Sequence, residues 1–290
     1  MKTQKILAKT FILALAAGIL VTGCKKKEED DKDTTASSDN AFAESSYNDV
    51  ANIADQAGNM TANGNYNYKM GDDQTSLLAN CATVSFFNVN KLDSQDTIVV
   101  DFGTAGCTGN DGRTRKGQVI IYYSGKWKQI GSTHTITFNN YYVNDNKIDG
   151  SKTVKTNAFN GAGHMNWTVT VNGTITLASG GGTVTWTSSR TRELLAGQNA
   201  DSTITWASSK WGITGTASGT SAKGTSYTAN ITSQLVRDFT CSSYRRHFVA
   251  GTFEFTPSGK ATRTVDFGSG ACDDDAIVTI KGKSYPIKLK

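Results

Sequence analysis

"AIVTIKGKSYPIKLK", residues 276–290, alternates apolar and polar side chains on both sides of a Gly-Lys pair. A period of two belongs to a strand with one buried face, and the glycine belongs to a tight turn. A two-residue turn at Gly282-Lys283 pairs Ile280 with Tyr285, Val278 with Ile287 and Ala276 with Leu289, and the paired apolar side chains then share one face. The stretch predicts an antiparallel hairpin.

The pattern recurs through most of the chain. In "STITWASSKWGIT", residues 202–214, Ile204 and Trp206 alternate before a turn, and Trp211 and Ile213 after it. "WTVTVNGTITLA", residues 167–178, reads as a second hairpin, turning either at Asn172-Gly173 or through a three-residue loop that sets Val171 opposite Ile175. "ASGGGTV", residues 178–184, reads as a turn or bulge, because no helix follows to make it a phosphate loop. After about Thr75 the chain is rich in Thr, Ser, Gly and Asn, and holds only Pro257 and Pro286 as prolines. The fold class that follows is all-β: a large antiparallel body, meander-like, sandwich-like or an open barrel, with one short N-terminal helix. That helix is predicted in "SSYNDVANIADQAGN" from Ser45, where Val50, Ile53, Ala54 and Ala57 share a face, Ser46-x-x-Asp49 caps the start and Gly58 ends it.

The tripeptide Asp-Phe-Gly occurs twice, in "TIVVDFGTAGC" (97–107) and "TRTVDFGSGAC" (262–272). A kinase would need a glycine-rich phosphate loop, a strand lysine and a catalytic-loop aspartate upstream, and the sequence has none of them. The repeat reads instead as structure. A strand ends at Val-Asp, Phe enters the core, Gly takes a backbone angle closed to other residues, and a cysteine six positions after the Asp awaits a crosslink. Each unit is preceded by a second cysteine, Cys81 or Cys241. Four cysteines allow three connectivities. If the two units fold alike, each closes its own loop, giving Cys81–Cys107 and Cys241–Cys272. Loops of that size contribute about 3 to 4 kcal/mol each in the chain-entropy model. Without a Cys-x-x-Cys spacing, zinc is not expected. Asp273, Asp274 and Asp275 lack the EF-hand pattern and read as a solvated turn, so no metal and no cofactor is expected.

The first 24 residues, "MKTQKILAKTFILALAAGILVTGC", have the layout of a secretory signal: Lys2, Lys5 and Lys9, an apolar run from Phe11 to Val21, then small residues. That run is too short to span a bilayer, which takes about 20 apolar residues. Val21-Thr22-Gly23-Cys24 resembles the lipobox of bacterial lipoproteins, which implies cleavage after residue 23 and lipidation of Cys24. The following "KKKEEDDKD" and the Ser/Thr/Asp-rich stretch to Ser45 read as a solvated tether. Lysines and then acidic pairs directly after the lipidated cysteine also resemble the surface-export signal of Bacteroidota lipoproteins. The expected organisation is a signal peptide over 1–23, an acidic and polar tether over 24–45, and a β-rich domain over 46–290, as one body or two related halves. Losing Lys2, Lys5 and Lys9 with the signal lowers the formal charge from +5 to +2, which gives no electrostatic case for nucleic acid.

The lipobox, the tether, "YNDVANIADQA", "VDFGTAGCTGNDGRTRKGQVIIYYSG" (100–125), "GSTHTITFNNYYVNDNKIDGSKTV" (131–154) and "VDFGSGACDDDAIVTIKGKSYPIKL" (265–289) together resemble a group of Bacteroidota lipoproteins of uncharacterised function. The resemblance implies a location, the outer membrane, at the cell surface or else facing the periplasm, and carries no catalytic residue with it.

No catalytic set is legible. His134, His164 and His247 fall in no His-Glu-x-x-His motif, and no Gly-x-Ser-x-Gly occurs, so an enzyme is the lesser expectation. A hydrolase whose site assembles from distant strands is the alternative. The expected function is a membrane-anchored binding or structural protein. Trp127 and Trp211 are the candidate contacts to a glycan or protein ligand, since exposed aromatics stack on sugars and anchor partners.

Overall fold

The structure, a computed structural model, describes residues 34–62, 78, 81–87, 96–109, 111–125, 127, 129–197, 208–241 and 247–289. Helix α1 (Thr35–Ala62) precedes β1 (Thr83–Phe87), β2 (Asp96–Asp101), β3 (Cys107–Thr108), β4 (Thr114–Ser124), β5 (Thr133–Val143), β6 (Asn146–Thr156) and β7 (Asn166–Thr176). After a short 3-10 turn at Ala178–Gly180 come β8 (Thr183–Ala196), β9 (Lys210–Thr220), β10 (Ser226–Asp238), β11 (Ala250–Pro257), β12 (Arg263–Ser269), β13 (Asp275–Ile280) and β14 (Lys283–Lys288). Every strand pairs antiparallel with its neighbour in sequence, except that β2 pairs with β4 and β3, which also pairs with β4, sits off the main path. The result is one open meander with β1 and β14 at its two ends.

Alternate residues of each strand face inward. One row of paired residues crosses β2 to β13: Ile98, Ile121, Ile136, Lys152, Val171, Ser188, Ala217, Ala229, Phe255, Arg263 and Ile280. Against this face lies the apolar stripe of α1, with Tyr47, Val50, Ile53, Ala54 and Ala57 buried in the principal core. The outward face carries Thr, Ser and Asn, the alternation expected of an antiparallel sheet with one solvated side.

Four expectations need correction. The helix begins at Thr35, so residues 35–45 belong to it and not to a tether. The Ser/Asp-rich segment has a buried face because its polar groups find partners: Asp39 Oδ2 accepts from the Ala222 backbone at 2.8 Å, and Asn40 Oδ1 from Trp186 Nε1 at 2.9 Å. Ser46, expected as a cap, is mid-helix and donates to the Phe42 carbonyl.

The Asn172-Gly173 turn does not exist in either form, since β7 runs straight through it. Gly173 pairs with Gly150 on β6 and with Trp186 on β8, and together they make a seat for Tyr47 of α1. A Cβ on Gly173 would fall 1.8 Å from Tyr47 Oη. The Tyr47 hydroxyl donates to the Asp149 carbonyl at 2.7 Å, and its ring stacks on Trp186 at 5.7 Å. Glycine inside a strand here marks close approach, not a turn.

The last hairpin turns at Lys281-Gly282, both with positive φ, as a type I′ turn requires. Ile280 therefore pairs with Lys283, Val278 with Tyr285 and Ala276 with Ile287. A slip of two residues leaves every side chain on its face, so face matching could not separate the two registers. The Leu289 N–H donates to the Asp274 carbonyl, which fixes the parity of the ladder: residues 283, 285 and 287 bond toward β13, and 284, 286 and 288 face the free edge. Pro286 thus removes a donor from the exposed edge and, beside Lys288, discourages a further strand from adding there.

Candidate functional site

The two Asp-Phe-Gly units share one turn, although the strand ends at Asp101 in the first and, contrary to expectation, runs on through Asp266 to Ser269 in the second. Asp101 Oδ1 accepts from the Gly103 N–H at 2.7 Å, and Asp266 Oδ1 from the Gly268 N–H at 2.8 Å. Phe102 and Phe267 are buried, and both glycines have positive φ. Cys81 is joined to Cys107 and Cys241 to Cys272, the pairing the repeat implies. Both units are scaffold.

The two tryptophans singled out as ligand contacts are corrected. Trp127 packs on α1 at Gly58, meets Tyr123 edge-on at 5.7 Å and stacks on His134 at 4.6 Å. Trp211 is buried in a second core cluster with Val154, Trp167, Val169 and Leu194, and its Nε1 donates to Ser209 Oγ. Inward parity on β9 places Trp211 in the core, and Trp127, in the β4–β5 connection, is partly buried against α1. Cys24 lies outside the described residues. Asp274 and Asp275 share Lys288 at 2.7 Å each, and no group of three potential metal ligands occurs among the described residues.

His164 pairs through Nδ1 with Glu193 Oε1 at 2.7 Å. The imidazole is the main influence holding Glu193 below the usual carboxylate range, and Gln234 and Asn160 also donate to the carboxylate. Among the described residues no hydroxyl or thiol bonds the His164 ring, so this orienting pair has no nucleophile beside it.

Charge is gathered at two places on the inner face. At β4, the fully buried Arg115 donates to Asp49 at 2.8, 2.9 and 3.2 Å and to Asp111 at 2.6 and 3.0 Å, with Arg113 also 3.2 Å from Asp49. Burial raises Asp49 above its ordinary value against the pull of Arg115 and Arg113. For Asp111 burial pushes the same way, but the two arginines outweigh it and leave the group low. Two cations meet two carboxylates, and the helix is locked to the sheet.

Toward the other ends of β6, β8 and β10 the count differs. Lys152, Arg190, Arg192 and Arg237 face inward, with Lys152 2 % and Arg190 7 % exposed, and Arg192 and Arg237 partly exposed. The carboxylates acting on them are Glu44, 3.5 Å from Arg190, and Asp55, both on α1. Among the described residues four cations thus face two acids. Burial, and then Arg192, push the Lys152 amine down to about 7, with Asp55 and Glu44 pulling weakly the other way. Lys152 Nζ donates to the Tyr47 carbonyl at 2.9 Å. Arg190 Nε, Arg192 Nε, Arg237 Nε and Ser188 Oγ are buried without a hydrogen-bond partner in the protein. Buried polar groups are nearly always satisfied, so a cluster of four calls for a cause.

None of these cations was singled out from the sequence, though the signal was there. In "TVTWTSSRTRELLA" the arginines at 190 and 192 share parity with Val184, Trp186 and Leu194, which places them on the core face. No family model, curated protein or solved structure matches the chain.

Proposed function

We propose that the chain is a lipid-anchored outer-membrane lipoprotein, tethered through Cys24, displayed at the cell surface, and serving as a binding protein whose ligand is acidic. The anchor and location rest on the lipobox, the acidic tether and the resemblance to Bacteroidota lipoproteins. The binding role is carried by one observation: among the described residues four inward cations face two carboxylates, and three guanidinium Nε atoms are unpartnered. Uncompensated buried charge costs several kcal/mol per ion, and an acidic ligand offsets it. Tryptophans in the core leave a flat glycan-stacking face without support.

The test is a thermal-shift screen of acidic and neutral small molecules and glycans at fixed ionic strength. Acidic molecules alone should raise the melting temperature, and Arg190→Gln with Arg192→Gln should abolish the effect. Stabilisation by neutral glycans, or by nothing acidic, contradicts the reading. A hydrolase with a site assembled from distant strands is the second reading, favoured by the His164–Glu193 pair. It requires a turnover that His164→Ala removes.

A further inference from the structure

We infer that the ligand at the cationic end carries a phosphate group, gripped by the side-on forks of Arg192 and Arg237. This rests on the binding reading above. Arg237 of β10 pairs with Trp211 of β9, and Arg192 of β8 pairs with Ile213 of the same strand. The Arg192 guanidinium carbon lies over the Trp211 ring, 4.8 Å from its centre, and that of Arg237 lies over Phe248 at 5.2 Å. A guanidinium laid on a ring commits its flat face and keeps its edge, where Nε–H and Nη–H form two parallel donors matched to two oxygens of an oxyanion. In both residues Nε has no partner in the protein.

The other two cations are already committed. Arg190 Nη1 donates to the Gly215 carbonyl at 2.8 Å and Nη2 faces Glu44, while Lys152 holds the Tyr47 carbonyl. They supply field, and Arg192 and Arg237 supply the grip. Arg192 is near enough to Arg237 to disfavour its charge, a repulsion that an anion between them relieves. A single carboxylate has two oxygens and one charge, enough for one fork. A phosphate monoester carries about −1.5 to −2 charges and three acceptor oxygens, enough for both. Both residues are partly exposed, though their Nε atoms are enclosed. The phosphate is either the free ion or the head group of a lipid.

The experiment is calorimetric titration of the detergent-solubilised mature protein with sodium phosphate and, separately, with dihexanoyl phosphatidate below its micellar concentration, at ionic strength matched with chloride. Saturable binding of at least one probe is expected, weakened tenfold or more by Arg192→Lys and by Arg237→Lys, which keep the charge and lose the fork. Binding of the inorganic ion assigns free phosphate, and binding of phosphatidate alone assigns a lipid head group. Binding of neither, or affinity unchanged in both lysine variants, overturns the inference. If citrate binds where both phosphate probes fail, the acidic-ligand reading survives without the phosphate, and if citrate also fails both readings fall. Should a lysine variant unfold, protection of wild-type Arg192 and Arg237 from phenylglyoxal by the phosphate probes decides instead. Protection of both supports the inference, and protection of neither refutes it.

Discussion

Arg115 and Arg192 are both inward arginines on one sheet, and both are overlain by one helix, yet their surroundings follow opposite rules. Arg115 gives five hydrogen bonds to two carboxylates and stands in a group whose charges cancel. Arg192 has an aromatic ring under its face, an unpartnered Nε, and cationic neighbours in Lys152 and Arg237. A closed group of this kind serves the fold, because breaking it strands a buried charge. An open group costs the fold stability, and the acidic ligand proposed above would offset that cost.

The difference is easiest to break at its closed end. Arg115→Met should lower unfolding free energy by about 3 to 5 kcal/mol, since it leaves Asp49 and Asp111 facing each other without their main partner. Urea denaturation checks this, and a loss below about 1 kcal/mol would mean that the lock contributes little. Next in size is the seat between the two groups. Gly173→Ala forces Tyr47 off β7 and should cost about 1 to 3 kcal/mol, an overpacking effect read from the same curves. Asp266→Ala removes one bond to a backbone N–H and should cost about 1 kcal/mol, whereas Asp101→Ala also removes the bond from Gln118 Nε2 and should cost more, about 1 to 3 kcal/mol. Equal losses would show that the Gln118 bond contributes nothing. At the open end Arg192→Met should leave stability unchanged or raise it slightly, because it removes a charge and keeps an apolar stem on Trp211.

How far the sequence revealed this contrast depends on which physical signal was local. Period-two alternation exposed the all-β class and the repeated Val-Asp-Phe-Gly exposed two turns, since each signal is local, and the two crosslinks, 26 and 31 positions long, were legible only because the unit occurs twice. Gly173 was misread as a turn because its reason, the Tyr47 ring, lies more than a hundred positions away. Thr35–Ser45 was misread as tether because the groups that satisfy Asp39 and Asn40 sit on Ala222 and Trp186. Arg190 and Arg192 had the parity of core residues, and only the register across β6, β8 and β10 reveals that Lys152 and Arg237 join them. The lock at Arg115 was hidden for the same reason, with Asp49 on the helix and Asp111 in a loop.

The titration of Lys152 measures the surplus at the open end most directly, since Arg192 is the neighbouring cation that holds the amine down after burial itself. The folded protein should release this proton near pH 7 while the unfolded chain keeps it to about 10.5. More protons are then bound when unfolded, so stability should rise with pH between about 7 and 10, and Lys152→Met should lose that rise. The decisive measurement is the NMR titration of the Lys152 Cε resonance in the wild type and in Arg192→Met. The account predicts a midpoint near 7 that moves upward when Arg192 is removed. A midpoint at the ordinary lysine value, or one indifferent to Arg192, would contradict it.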